Sequence, residues 1–381
     1  MPASDSLKIA WIYDLNAFRE PTGVTRHARG QLEALLARED VETIAVSGKI
    51  REAEGREYWK YLNTKAHQRV LPVPLRDALR FWRIFQGPAL ETWTGAIDWA
   101  YAPAEFFVPV RHAKRAVTSH DVLQDLQRGD ARRKAFLAKL FERADLIASV
   151  SNFNTKRLVE AFPGCRDRVV LVPNAAEDLY FERANDRDRS KVRDDLGLPA
   201  GMPYLLSVAN FQARKNLVRL IEAAGRLREI ASGELAIVLI GSGSEAEKSA
   251  LIEAAEHLGS KSFVRFPGYR QGESLRAIYD EARALVFPSL CESFGIPAVE
   301  ALARGCPVAL ADSTALPEIA GDAGWYFNPL DLDSIVATLR EILDRDVERA
   351  RRSSIGNDRA DLFRWSRAND ALIKALVERG D

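Results

Sequence analysis

Two glutamates, Glu292 and Glu300, stand eight positions apart in the segment Phe287-Pro288-Ser289-Leu290-Cys291-Glu292-Ser293-Phe294-Gly295-Ile296-Pro297-Ala298-Val299-Glu300. An apolar run, Ala284 to Phe287, precedes it, so the segment reads as strand, loop and helix. A helix that begins near Gly295 turns free backbone N–H groups and a positive dipole end toward the loop, where an anion such as phosphate is stabilised. Pro297 suits the first turn, which needs no N–H from it. Glu292 on the loop and Glu300 more than one turn inside the helix can touch different parts of one extended ligand. A solvent-facing carboxylate is the ordinary reading of an arbitrary Glu pair. The glycine, the proline and the strand ahead reverse that preference here.

Further candidates sit in other strand-to-helix connections. Arg214-Lys215-Asn216 follows the run Tyr204 to Val208. Two cations at a helix start oppose its dipole, a cost that an incoming diphosphate would remove; a solvated charged pair is the alternative. His120-Asp121 ends the run Ala116 to Ser119, where a histidine can bond a substrate hydroxyl or stabilise developing charge. His27, His67, His112 and His257 read as structural. Pro21-Thr22-Gly23-Val24 joins the first strand to the first helix, and glycine there admits close approach of a ligand. Gly241-Ser242-Gly243-Ser244-Glu245-Ala246 formally fits a dinucleotide fingerprint, but the next strand ends Arg265-Phe266-Pro267-Gly268 without the carboxylate that would hold a ribose. Three D-x-D strings, at Asp186/Asp188, Asp331/Asp333 and Asp344/Asp346, follow no buried strand, so no metal is assigned.

The elements that carry these residues alternate along the whole chain. Strands are expected at Leu7 to Tyr13, Val41 to Ser47, Asp98 to Tyr101, Ala116 to Ser119, Leu146 to Val150 and Val169 to Val172, with helices from His27 to Arg38 and from Ser151 toward Glu160. After a polar stretch, Glu177 to Asp195, the alternation resumes with strands at Tyr204 to Val208, Leu235 to Ile240, Phe263 to Phe266, Ala284 to Phe287 and Val308 to Leu310. The intervening helices are expected at Arg214 to Ile230, Ser244 to Leu258, Leu275 to Glu281 and Ile296 to Ala303. This is the pattern of βαβ units on parallel sheets. The expectation is an α/β protein with two Rossmann-like doubly wound domains facing a central cleft, residues 1–180 and 181–361, with 362–381 returning to the first.

Length and composition agree. The 381 residues exceed one domain at ~150 residues each, and 47% apolar with 28% charged residues is ordinary globular composition. Lys plus Arg and Asp plus Glu number 54 each, so the net charge of zero gives no global attraction for nucleic acid. Three cysteines, Cys165, Cys291 and Cys306, are too few and scattered for a disulfide scaffold or a four-ligand zinc site, and suit a reducing compartment. The first residues carry no cationic leader with a long apolar segment, and no run reaches the ~18 apolar residues of a membrane span, so a cytoplasmic location is expected. One local basic feature stands out: a helix over Leu75 to Phe85 would align Arg76, Arg80 and Arg83 beside bulky apolar residues. Arg128, Arg132, Arg133, Lys134 and Lys139 would extend that patch toward peripheral contact with an anionic membrane; a packed helix with a solvated face is the alternative.

Together these residues resemble the retaining GT-B glycosyltransferases of family 4, also described as glycosyl transferases group 1. The most specific element is the E-x7-E signature, Glu292 and Glu300, supported by Arg214-Lys215-Asn216, the Gly241 and Gly243 loop, Pro267-Gly268-Tyr269, Val172-Pro173-Asn174 and Leu316-Pro317-Glu318. The resemblance implies that Arg214, Lys215, Gly23, Gly295 and Ile296 bind the donor diphosphate, and that Glu300 and Tyr269 hold the ribose and base. It implies that Asp121, Ser293 and Phe294 border the donor sugar, and that His120 and Glu292 are the catalytic pair. The chain departs from the family's frequent Gly-Gly with Thr22-Gly23, from Glu-Gly-Phe-Gly with Ser293, and from Asn-Gly-Val with Asn174-Ala175-Ala176.

The expected activity is hexosyl transfer without a metal or other cofactor, from a nucleotide-diphosphate sugar to a glycan or lipid-linked glycan in cell-surface polysaccharide synthesis. GDP-mannose is the leading donor, on general likeness. A sugar-nucleotide epimerase, a nicotinamide oxidoreductase on a similar double sheet and a non-catalytic glycan-binding subunit are the alternatives.

Overall fold

The structure, a computed structural model, describes residues 6–19, 22–62, 65–127, 129–182, 186–199, 201–231 and 235–380. Pro21 and Arg128 lie outside them, as do residues 183–185 of the polar stretch. Short apolar runs become parallel strands because a strand covered by helices on both faces can be apolar throughout. The first seven are β1 (Leu7–Ile12), β2 (Val41–Ser47), β3 (His67–Val70), β4 (Trp99–Ala102), β5 (Lys114–Ser119), β6 (Leu146–Ser149) and β7 (Val169–Leu171). They form one sheet of order β3-β2-β1-β4-β5-β6-β7. The other six are β8 (Tyr204–Val208), β9 (Ala236–Ile240), β10 (Val264–Gly268), β11 (Ala284–Phe287), β12 (Val308–Ala311) and β13 (Gly324–Phe327), in the order β10-β9-β8-β11-β12-β13.

Both orders run outward over three strands and then return to the other side of the first. The strand order therefore reverses between β1 and β4, and between β8 and β11, where Leu205 pairs with Ala284 and Leu206 with Leu285. Crevices at such reversals are where doubly wound sheets hold ligands.

The chain divides into two compact units, residues 1–175 with 365–381, and residues 176–364. The last helix, Trp365–Glu378, belongs to the first unit because Trp365, Ala368, Leu372 and Leu376 recur on one face and are buried with Trp11, Leu32 and Leu35. Gly30 makes room for it: a Cβ there would meet the Trp365 ring at 2.2 Å.

Several elements differ from the sequence expectation. β3 was not expected, because His67-Gln68-Arg69-Val70 is a largely exposed edge strand with no apolar pattern. The first helix starts at Gly23, four residues before His27, since Thr22 caps it by accepting from Thr25 N at 3.3 Å. Within the polar stretch, for which no element was expected, Asp178–Phe181 is a 3-10 turn and Asp186–Asp195 a helix. The expected helix from Arg214 starts at Leu217, because Ala213–Lys215 is a 3-10 turn closed by Asn216 at φ 56°.

Candidate functional site

In the second unit, the two loops that leave β8 and β11 flank the strand-order reversal and are tied together. Leu290 N donates to Arg214 O at 2.8 Å, and Arg214 Nη1 donates to Cys291 O at 3.0 Å. The Asn216 side chain donates to Pro329 O at 2.9 Å while its backbone takes the left-handed conformation. That turn delivers Lys215 inward, where its ammonium is hydrogen-bonded to Glu292 Oε1 and lies 5.2 Å from the Phe287 ring centroid. Arg214 Nη1 is 3.5 Å from the same carboxylate oxygen. Glu292 is fixed from behind: its N–H donates to Thr314 Oγ1 at 3.1 Å and its carbonyl accepts from Ala315 N at 3.2 Å.

Two cations and one carboxylate leave this buried cluster with a net charge of +1, so it favours an anion. The two cations are not the solvated pair that was the alternative: both face Glu292, and they lie in the 3-10 turn ahead of the helix that starts at Leu217. Gly295 caps the helix Ile296–Ala303 at φ 104°, and a Cβ there would meet Leu316 Cδ2 at 2.8 Å. Ser293, Phe294 and Ile296 are buried around it, and Phe294 packs edge-to-face on Phe363 at 5.5 Å.

Glu300 is on the second turn of the same helix and has 0% exposure. Its Oε2 accepts from Tyr279 OH at 2.9 Å, so the carboxylate also holds the preceding helix, Gly272–Glu281. Tyr269 follows β10, is 40% exposed and donates to Gln271 Oε1 at 3.2 Å. The Gly241-to-Ala246 loop is explained by packing. A Cβ on Gly241 would meet Ala209 O at 1.8 Å, and a Ser244–Glu247 capping box takes the N–H groups of Ser244 and Glu247 at the start of the next helix. Among the described residues no group of three or more His, Cys, Asp or Glu side chains could hold a metal. Of the D-x-D strings, Asp331 caps a helix and Asp346 pairs with Arg283 and Arg349. The three cysteines are buried and form no disulfide among the described residues, and burial pushes the Cys306 thiol up to about 12.

In the first unit, His120 directly follows β5 and is 7% exposed. Its N–H donates to Glu105 Oε1 at 2.6 Å and its Nε2–H to Pro103 O at 2.9 Å, both partners coming from the loop after β4. A neutral ring so bound presents Nδ1 as its lone-pair nitrogen. Asp121 is half-buried beside it, and Asp121 O accepts from Asp125 N at 3.1 Å. Gly23 is exposed at the first position of its helix, has an ordinary φ and has nothing within 4 Å of a built Cβ. The fold does not require a glycine there.

The structure adds a residue that the sequence reading left as structural. His27 packs edge-on against His120, ring centroids 4.6 Å apart, and donates from Nδ1 to Asn174 Oδ1 at 2.6 Å. Its Nε2 is buried with no hydrogen-bond partner among the described residues. Complete burial, then the repulsion His120 would exert once protonated, hold its pKa well below the usual histidine value, so the ring is neutral. No local signal could reveal this, since His27 is one apolar-face position among Ala28 and Gln31.

Comparison with known proteins bears on this arrangement. The chain is 27% identical over 370 residues to the O-antigen chain mannosyltransferase B of Escherichia coli, covering 93% of this chain and 95% of that one. It is 31% identical over 272 residues to a D-inositol 3-phosphate glycosyltransferase of Corynebacterium aurimucosum, covering 70% of this chain but 64% of the relative, less than two thirds of its length. The fold matches HepE of Anabaena, solved in complex with UDP-glucose, with a TM-score of 0.77 at 16% identity, covering 98% of this chain and 100% of that one. Residues 188–359, which contain Arg214, Lys215, Glu292 and Glu300, match the family described as Glycosyl transferases group 1. Residues 188–359 are thus similar to the Glycosyl transferases group 1 family, and the two-sheet α/β fold matches that of GT-B glycosyltransferase structures.

Proposed function

We propose that the protein is a retaining, metal-independent hexosyltransferase that moves mannose from GDP-mannose to a glycan or lipid-linked glycan in cell-surface polysaccharide synthesis, acting in the cytoplasm. The observation that carries this reading is the Arg214–Lys215–Glu292 cluster, net positive and next to the Gly295 helix end at the reversal of strand order. The mannosyltransferase name of the Escherichia coli relative, which aligns over 93% of this chain, supports the choice of sugar.

In this reaction the bond between the anomeric carbon and the diphosphate oxygen breaks, which leaves positive charge on the sugar and negative charge on the phosphate. Fixed cations and helix N–H groups lower that barrier because they are already aimed at the developing charge. Arg214, Lys215 and the N–H groups from Gly295 and Ile296 take the diphosphate. Glu292 and His120 hold sugar hydroxyls, Nδ1 of His120 accepting from one, with Asp121, Ser293 and Phe294 around the hexose. Glu300 and Tyr269 serve the ribose and base, and Gly23 admits the donor closely. The acceptor oxygen bonds the anomeric carbon on the face the phosphate leaves, and the acceptor proton passes to the departing phosphate oxygen.

Thermal denaturation with GDP, UDP, ADP and their sugar conjugates tests the donor. A ligand at about 100 times its Kd adds about 2.7 kcal/mol to the folded state, and GDP-mannose is expected to give the largest rise. A rise confined to another nucleotide family overturns the choice of GDP-mannose, and no rise with any nucleotide overturns the transferase reading. NMR of the product's anomeric centre, with EDTA present, tests retention and metal independence. A sugar trapped covalently on Glu292 would replace the same-face displacement with a double one.

A further inference from the structure

His27, on the helix Gly23–Leu36, has 0% exposure, so it cannot touch a substrate. Its neighbours come from three distant segments of the first unit. Asn174, just after β7, accepts from Nδ1 at 2.6 Å; the Trp365 ring of the last helix lies at 5.4 Å and 70°; the His120 ring lies at 4.6 Å and 85°. One hydrogen bond and one aromatic neighbour therefore fix the plane of the His27 ring before it meets His120.

Core packing alone would be served better by a phenylalanine. The imidazole leaves Nε2 buried without a hydrogen-bond partner among the described residues, and burying such an atom is unfavourable. What the imidazole gains is the Nδ1 bond to Asn174, which an apolar ring cannot make. His120, in turn, needs a support. Its Nε2–H bond to Pro103 O at 2.9 Å holds one ring atom, and the last torsion of a histidine is soft and roughly two-fold, so a ring held at one atom still pivots. An edge-on neighbour that is itself locked removes that freedom.

We propose that His27, locked by Asn174 and Trp365, is a positioning residue that holds the His120 ring so that Nε2–H stays on Pro103 O and Nδ1 stays available to a sugar hydroxyl. Its use in transfer rests on the reading of His120 as a residue that meets the donor sugar; the hold itself does not.

Nitrogen NMR of the full chain with labelled histidine reads the hold directly, His120 being assigned by its absence in His120→Ala. In the parent chain His120 is expected as a single tautomer protonated at Nε2. His27→Phe keeps a ring but loses the bond to Asn174, and Asn174→Ala removes the acceptor; in both, the His120 signals should broaden or show both tautomers. Transfer assays then separate positioning from packing. In His27→Phe, kcat should fall at least ten-fold while nucleotide affinity stays that of the parent, because Arg214 and Lys215 belong to the second unit. Introduced into His120→Ala, His27→Phe should cause no further loss, since residues that act as one unit are not additive. The same single tautomer and the same kcat in both variants overturn the proposal, as does a loss that multiplies with that of His120→Ala. If His120→Ala itself transfers normally, the role of His120 in transfer falls, and the tautomer signals alone decide whether His27 holds the ring.

Discussion

Lys215 and Glu292, 77 positions apart in the chain, share a buried hydrogen bond that closes the gap between the loops after β8 and β11. The carboxylate therefore has two duties in the proposed reaction, holding the cations in place and meeting the sugar. In Glu292→Gln the cluster's net charge rises from +1 to +2, so GDP affinity measured by calorimetry should be unchanged or tighter, while transfer falls at least 100-fold. Removing one charge of a buried pair costs about 3 kcal/mol, readable as an earlier denaturation midpoint. Loss of GDP affinity together with transfer would reduce Glu292 to a support for Lys215.

Glu300 is fully buried and bonded to Tyr279, so its environment can be altered without touching the diphosphate cluster. Tyr279→Phe removes a hydrogen bond to a carboxylate, a loss of about 1.5 to 3 kcal/mol. If Glu300 holds the ribose, nucleoside affinity should weaken several-fold in this variant. An unchanged GDP titration alongside the expected loss of stability would leave Glu300 a structural residue.

The two glycines of the proposed diphosphate site should respond in opposite ways. Gly295→Ala places a Cβ at φ 104° and against Leu316, so it should destabilise by about 1 to 3 kcal/mol in chemical denaturation. Gly23→Ala meets open space at an ordinary φ, so stability should hold or rise slightly. Transfer should nevertheless fall, with KM for the donor raised. Full activity of Gly23→Ala removes it from the donor site.

His27 makes stability depend on pH in a defined direction. Its folded pKa is depressed by burial and by the neighbouring His120, so below pH 6.5 the unfolded chain takes up a proton that the folded chain refuses. Stability is whole above pH 6.5 and is lost as pH falls, by up to about 1.4 kcal/mol per pH unit for this one proton. His27→Phe should flatten the slope between pH 6.5 and 5 by that amount relative to the parent chain. Equal slopes would show that another group governs the acid side.

The candidate site was legible where it is local. Gly295-Ile296-Pro297 reads as a helix start from residue types alone, and the observed helix Ile296–Ala303 coincides with the expected span. β2, β8 and β11 likewise coincide with the expected strands, because a strand covered on both faces shows as an unbroken apolar run. β3 was hidden because an edge strand needs no such run, whereas β13, Gly-Trp-Tyr-Phe, is a short apolar run that was not expected as a strand.

Local residue types dictate the alternation of strand and helix and the chemistry carried at the strand ends, since both rest on neighbouring residues and their periodicity. The tertiary structure decided the rest. It gave Lys215 its counter-ion, set His27 beside His120 and left Phe81, Ile84 and Phe85 uncovered. Each of these depends on which distant segments pack together, and a burial or a pairing between remote side chains leaves no mark in local spacing.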